Sequence, residues 1–144
     1  MIIHLLWPYP TSSCYDKPLQ KRPTTLSEGN RIMNDLVTKH CEPCEGIGKP
    51  LNNEQIDALL PQLENTWQVS DDLTTIHRAF SFENFHETMA FMNAITWIAH
   101  RENHHPDIEL GYNYCRVNFM THALKGLSHN DFICASKIDQ ILSM

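Results

Sequence analysis

The side chains of this sequence that are best suited to acid–base chemistry are a group of histidines and carboxylates. The segment Glu102-Asn103-His104-His105-Pro106-Asp107 is followed by a separate His122 and by Asp131. Imidazole has an unperturbed pKa of about 6.5, so it donates or accepts a proton close to neutral pH. Three such groups with a carboxylate predict proton-transfer catalysis, and the candidate catalytic residues are His104, His105, His122 and Asp131.

The same histidines also admit a structural role and a metal-binding role. A histidine at a helix C-terminus complements the helix dipole, which explains one imidazole better than an adjacent pair. His100 and His104 have the i,i+4 spacing that places two imidazoles on one helix face, where Glu102, His105 or Asp107 would add a ligand. The glutamate that follows the first histidine of a metalloprotease helix is missing. Metal binding is therefore the less favoured alternative.

Asp131 has two roles open to it. Ser128 and Asp131 have the Ser-x-x-Asp form of a capping box, in which the carboxylate satisfies backbone N–H groups at a helix start. In the functional alternative, Asp131 orients an active-site imidazole. The two roles are compatible.

Five cysteines include the pair Cys41-x-x-Cys44, which lies in a glycine- and proline-rich segment, residues 41–50. A zinc ribbon needs a second such pair, and a thioredoxin-like motif should join a strand to a helix. We therefore interpret this pair as structural or incidental. The odd cysteine count, without an obvious disulfide framework, predicts a reduced, cytoplasmic protein.

Length and composition narrow the class of protein. The 144 residues are 42% hydrophobic and 19% charged, which suits one folded domain. A net charge of −6 without a run of Lys or Arg disfavours nucleic-acid binding. No apolar run approaches the roughly 20 residues that a membrane span needs, and the apolar residues 1–7 lack the basic flank of a secretory signal.

The chain divides into an extension and a domain. Residues 1–32 hold four of the eight prolines and no sustained apolar period, so they are predicted to be a disordered N-terminal extension. Residues 33–144 are predicted to form the folded domain.

Hydrophobic periodicity predicts seven elements in that domain. Asn52 and Gln55 resemble a capping box that begins a short helix, and β-favouring runs around Asp71-Asp72 predict a hairpin. Helical spacing from Phe85 to about Asn103 predicts a long helix that Pro106 stops. The stripe expected to face the core comprises Phe85, Met89, Met92, Ile95 or Thr96, and Ala99, widened by Phe91 and Trp97.

The remaining pattern predicts two strands and a helix. Residues 108–112 and 116–121 alternate between apolar and polar, with a turn near Asn113 to Cys115, and Ser128 caps the last helix. The order α-β-β-α-β-β-α predicts an α+β fold, a four-stranded antiparallel sheet with three helices on one face.

Several of these motifs resemble the pterin-4a-carbinolamine dehydratases. The resemblance extends from about Cys41 to the C-terminus, whereas the first 32 residues match nothing in the family. Its motifs are Cys41–Gly46, Leu59-Leu60-Pro61 before Trp67, Glu102 with His104-His105-Pro106, Tyr112, Thr121-His122, and Gly126-Leu127-Ser128-x-x-Asp131.

The resemblance implies an enzyme, a hydro-lyase that dehydrates 4a-hydroxytetrahydropterin to the quinonoid dihydropterin and water. The reaction recycles tetrahydropterin after aromatic amino-acid hydroxylation. The family uses no metal and no organic cofactor, has the fold predicted above, and forms homodimers and homotetramers. The implied partner is therefore a small pterin, with no nucleic acid or membrane.

The resemblance also implies roles for the candidate residues. His104 and His122 would stand near the 4a carbon as proton donors or acceptors, His105 would bind and orient the pterin, and Asp131 would hold an imidazole. The candidate substrate-binding residues are His105, Glu102, Pro106 and Thr121.

Two departures from animal members, at Ile108 and Arg116, lie outside these positions. The rival functions are a non-catalytic dimerisation module, a role that animal relatives also serve for a homeodomain transcription factor, and a metal-dependent hydrolase. The retained histidine cluster favours the enzyme.

Overall fold

Three α-helices and four strands make up the part of the chain that the computed structural model describes, residues 35–43 and 48–143. The predicted extension and Cys44 lie outside the described residues. The order of the helices and strands confirms the predicted α-β-β-α-β-β-α fold. The elements are α1 (Asn53–Leu59), β1 (Gln68–Val69), β2 (Ile76–Ser81), α2 (Phe85–Glu102), β3 (Asp107–Leu110), β4 (Tyr114–Phe119) and α3 (His129–Leu142), with short 3-10 helices at Asp35–Thr38, Leu60–Gln62 and His122–Leu124.

The four strands form one antiparallel sheet in the order β1-β2-β4-β3. In the pairing of β3 with β4, Asp107 lies opposite Asn118. This register places the start of β3 beside the end of β4. The segments just outside those strand ends, residues 104–106 and 121–122, therefore meet at the same end of the sheet.

Both predicted capping boxes are present. Asn52 Oδ1 accepts from Gln55 N–H at 2.9 Å, and Gln55 Oε1 accepts from Asn52 N–H at 3.0 Å. At α3, Ser128 and Asp131 cap the helix in the same reciprocal way. The second box fixes the start of α3, and with it the position of Asp131.

The hydrophobic core fills the space between one face of the sheet and the helices. The face of β2 that lies in the core carries Ile76 and Phe80, which are both buried. They pack in one cluster with buried residues of the other elements, among them Ile56, Phe91, Ile95, Val117, Phe119, Phe132, Ala135 and Ile138.

The buried face of α2 differs from the predicted stripe. Phe85 and Trp97 are 46% and 62% exposed, so their placement in the core is wrong. Thr88 is buried instead, because its hydroxyl donates to Asn84 O and Tyr112 O and is thereby satisfied inside the protein. The buried residues of α2 are Thr88, Phe91, Ile95, Ala99 and Glu102.

The turn between β3 and β4 begins two residues earlier than predicted. It covers residues 111–113, and Tyr112 stacks on Phe85 instead of extending β3. A Cβ at Gly111 would collide with the Tyr114 ring as it is placed, so glycine lets that ring pack over the point where the chain leaves the strand.

Candidate active site

The end of α2 separates His104 from His105. Asn103 closes the helix in the left-handed conformation, with φ 49° and ψ 38°, which asparagine tolerates better than most residues. His104 N–H then donates back to Ala99 O at 3.1 Å. After this turn His104 is buried, whereas His105 is exposed and Pro106 keeps the chain extended toward β3.

His104 and Asp131 form a buried pair at the centre of the site. Nε2 of His104 lies 2.7 Å from Oδ1 of Asp131, and the side chains are 7% and 0% exposed. An ionised carboxylate only accepts hydrogen bonds, so the imidazole donates from Nε2–H. The His104 ring also lies parallel to the Phe119 ring, with centroids 5.9 Å apart and planes at 9°. The carboxylate and the aromatic ring together fix the orientation of the imidazole.

The second carboxylate oxygen of Asp131 caps the start of α3. Oδ2 accepts from Ser128 N–H at 2.7 Å and from the Thr121 hydroxyl at 2.9 Å. The capping role is therefore present together with the contact to an imidazole, as the sequence allowed.

Thr121 lies behind the site, beneath the exposed surface. It is 1% exposed, and its hydroxyl is hydrogen-bonded to both Asp131 and Ser128. Thr121 therefore supports Asp131, and the direct substrate contact expected from the sequence stays a prediction.

His122 lies at the surface of the same end of the sheet. It begins a 3-10 turn, residues His122–Leu124, that an isolated bridge between Thr121 and Gly126 closes. Its Nε2 is 3.7 Å from Oδ2 of Asp107, at the start of β3. Since both side chains are largely exposed, this contact contributes little stability, but it shows how closely the two strand ends approach.

Glu102 points away from the surface and binds the N-terminal segment 35–43, called the arm below. Its carboxylate accepts from Cys41 N–H at 2.9 Å and lies 3.2 Å from His40 Nδ1 and 3.4 Å from Lys137 Nζ. Burial alone raises the pKa of the Glu102 carboxyl, but these donors and the lysine charge outweigh it and lower the pKa overall. These contacts show that Glu102 holds the arm, and the substrate contact that the sequence predicts for it stays a prediction.

Asn130 is a second anchor of the arm, and sequence reasoning missed it. Its Nδ2 donates to Glu42 O at 2.8 Å, and its Oδ1 accepts from Glu42 N–H at 3.1 Å. The side-chain amide thus pairs with one backbone residue as a neighbouring strand would. The partners are 88 residues apart, so no local pattern could indicate the contact.

The alternative pairing of His100 with His104 on one helix face is wrong. His104 lies beyond the end of α2 and bonds to Asp131, whereas His100 is exposed beside Trp97. Within residues 35–43 and 48–143, no three His, Cys, Asp or Glu side chains are grouped to hold a metal ion.

Fold and site together define a small α+β domain in which a buried histidine–aspartate pair lies at the same sheet end as exposed imidazoles. The family model described as "Pterin 4 alpha carbinolamine dehydratase" matches residues 49–141. The chain belongs to this family.

Known proteins similar to this chain carry the same name. A protein of Legionella pneumophila (strain Corby) is 70% identical over 111 residues, which are 77% of this chain and 98% of the relative. One from Nitrosomonas europaea is 55% identical over 107 residues, 74% of this chain and 93% of the relative. Both are named "Putative pterin-4-alpha-carbinolamine dehydratase".

A solved structure is similar in fold as well as in sequence. It is the crystal structure of a "transcriptional coactivator/pterin dehydratase" from Brucella melitensis, with a TM-score of 0.61 and 29% identity. The match covers 65% of this chain and 98% of that chain. Among the described helices of this protein, none has the length and apolar character that crossing a membrane requires.

Proposed function

We propose that this protein dehydrates 4a-hydroxytetrahydropterin to quinonoid dihydropterin and water, and is therefore a hydro-lyase. The observation that carries the proposal is the buried hydrogen bond of 2.7 Å between His104 and Asp131. The residue that follows His104 in the chain, His105, is exposed. Membership of the dehydratase family supports the choice of a pterin.

The reaction needs one proton delivered and one removed. As the bond between C4a and the hydroxyl oxygen breaks, the oxygen takes a proton and leaves as water. The N5 lone pair forms the new double bond to C4a, and the proton on N5 passes to a base. Two positioned imidazoles meet this need without net proton uptake, and such help contributes about 10²–10⁴-fold in rate.

His104 and His122 are the two imidazoles we assign to proton transfer. His104 holds its Nε2 proton toward Asp131, which orients the imidazole for this role. His122 is accessible to a ligand, and the Asp107 carboxylate nearby is able to accept a hydrogen bond from it. The face of the pterin that carries the hydroxyl decides which imidazole donates and which accepts.

His105 and Pro106 are assigned to binding. His105 is exposed directly beside the buried His104, and Pro106 restricts the backbone between this pair and β3. A pterin lying over this segment would contact the His105 ring and be oriented by it.

The test is absorbance-monitored dehydration of freshly generated 4a-hydroxytetrahydropterin. The double variant His104→Ala/His122→Ala should lose about 10²–10⁴-fold in kcat. His100→Ala is the matched control, because it removes an exposed imidazole of α2 outside the site and should leave kcat unchanged. A folded double variant with wild-type turnover would refute the assignment.

The alternative function is a non-catalytic dimerisation or binding module. The name of the Brucella melitensis protein joins coactivator to dehydratase, which is the observation in favour of this role. The presence of His104, His105 and His122 favours catalysis here, because a binding module has no use for proton-transfer groups. Absence of any acceleration by folded wild-type protein would favour the module.

A further inference from the structure

Two thiols from distant parts of the chain meet beneath the arm. Sγ of Cys41 lies 3.6 Å from Sγ of Cys134, although the residues are 93 positions apart. Cys134 is fully buried in α3, and Cys41 is partly exposed. The contact is independent of the sequence motif, which pairs Cys41 with Cys44.

The arm holds Cys41 in this position by contacts on both sides. Cys41 N–H donates to Glu102, Glu42 pairs with the Asn130 side chain, and Lys137 Nζ donates to Val37 O at 2.9 Å. These bonds tie the arm to the end of α2 and to α3 at Asn130 and Lys137. The approach of the sulfurs is therefore part of the folded structure, and Cys41 itself lies outside any helix or strand.

We propose that Cys41 and Cys134 are a disulfide-forming pair, oxidised reversibly by a low-molecular-weight disulfide such as oxidised glutathione. A disulfide needs the sulfurs about 2.05 Å apart, so they must approach each other further. Because Cys41 sits on irregular backbone, rotation of its side chain and a small shift of the arm can supply that movement without disturbing α3.

Accessibility determines the order of the steps. The hydrogen bond to Cys41 and burial raise the pKa of the Cys134 thiol, which disfavours its thiolate. Cys41 therefore attacks first, losing its proton to solvent, and displaces one glutathione thiolate to form a mixed disulfide. Cys134 then attacks the Cys41 sulfur, forming the internal disulfide and displacing the second glutathione as a thiolate, which takes the proton that Cys134 loses. Two thiols are oxidised and one glutathione disulfide is reduced to two thiols.

The test incubates the full-length protein in graded mixtures of reduced and oxidised glutathione. The reaction is quenched with acid, free thiols are alkylated, and unreduced tryptic peptides are mapped by mass spectrometry. We expect a peptide containing Cys41 linked to the peptide of Cys134, with two hydrogens lost. The oxidised protein should melt roughly 5–15 °C higher than the reduced protein, and dithiothreitol should reverse the shift.

Matched variants assign the partner, because no Lys or Arg separates Cys41 from Cys44 and both lie on one tryptic peptide. The link to Cys134 should persist in Cys44→Ser and vanish in Cys41→Ser, a substitution that leaves α3 untouched. A link that survives in Cys41→Ser would overturn the proposal. So would a wild-type protein whose Cys41 remains free, or stops at the glutathione adduct, in the most oxidising mixture.

Discussion

Asp131 serves the imidazole with one oxygen and the helix start with the other. We predict that Asp131→Asn lowers kcat at least tenfold, because the amide reverses or weakens the bond that holds His104. It should also lower the free energy of unfolding by about 1–3 kcal/mol, since charge-assisted hydrogen bonds to Ser128 and Thr121 are lost. Turnover and urea denaturation measure the two effects.

The control for this substitution is Asp35→Asn. Asp35 is 76% exposed and forms an i,i+4 pair with Lys39, so its loss should change unfolding by less than about 0.5 kcal/mol. Equal stability of Asp131→Asn and Asp35→Asn would show that the buried network contributes nothing.

The lowered pKa of Glu102 predicts how the stability of the fold depends on pH. Its pKa in the folded protein is below the ordinary 4.5, so its charged form stabilises the fold above that pH. This contribution is lost as the pH falls through the folded pKa. Glu102→Gln should therefore be less stable than wild type by about 1–3 kcal/mol at pH 7, and the difference should shrink below pH 4.5.

Urea denaturation from pH 3 to 7 checks this pH dependence. Glu109→Gln is the control, because Glu109 is 62% exposed and pairs with Arg116 at the surface. A stability difference between Glu102→Gln and wild type that stays constant with pH would contradict the role assigned to Glu102.

At the residue scale, sequence reasoning succeeded where the signal was local. The Ser-x-x-Asp pattern located Asp131, and the adjacent histidines located the end of α2. It failed to indicate the contacts of Glu102, because the partner Cys41 lies 61 residues away. Contacts of this length depend on the fold and leave no spacing to detect.

At the scale of elements, Asp139 joins α3 to the sheet. Its carboxylate accepts from Trp67 Nε1 and from Glu64 N–H, both at 2.9 Å, and pairs with Arg78 of β2. Arg78 also lies 4.6 Å from the centre of the Phe80 ring. This one side chain therefore connects a helix, a strand and the loop before β1.

We predict that Asp139→Ala lowers the free energy of unfolding by about 3–5 kcal/mol. The substitution leaves the largely buried Arg78 guanidinium and the Trp67 N–H without their acceptor. Asp71→Ala in the exposed hairpin turn is the control and should cost less than about 0.5 kcal/mol. Equal urea midpoints for the two variants would contradict this account.

The order of elements was predictable because each has a local signal: a capping box, an alternating run or a proline. The buried face of α2, in contrast, could not be predicted from the sequence. Two neighbouring helical stripes both contain apolar residues, and tertiary partners of Thr88 decided between them.

At the scale of the whole molecule, exposed aromatic and aliphatic side chains offer apolar surface to a second copy of this chain. Trp97, Leu110 and Tyr112 are between 42% and 67% exposed, so a second chain that covered them would bury apolar area. We predict a homodimer or homotetramer by light scattering coupled to size exclusion, and a shift to smaller species for Trp97→Glu. A wild-type monomer at micromolar concentration would contradict the prediction.

The length of a relative indicates how much of this chain forms the domain. The 111 residues aligned with the Legionella pneumophila protein cover 98% of that protein but 77% of this chain. This supports the proposal that residues 33–144 form the domain and residues 1–32 an addition to it.

The double role of Asp131 also has an evolutionary consequence. A descendant that abandoned dehydration would still need Asp131 to begin α3, whereas its histidines would be free to drift. Retention of this aspartate is then weak evidence of activity in any related chain. Under the proposed assignment, imidazoles at the positions of His104 and His122 are the residues that should distinguish active enzymes from inactive relatives.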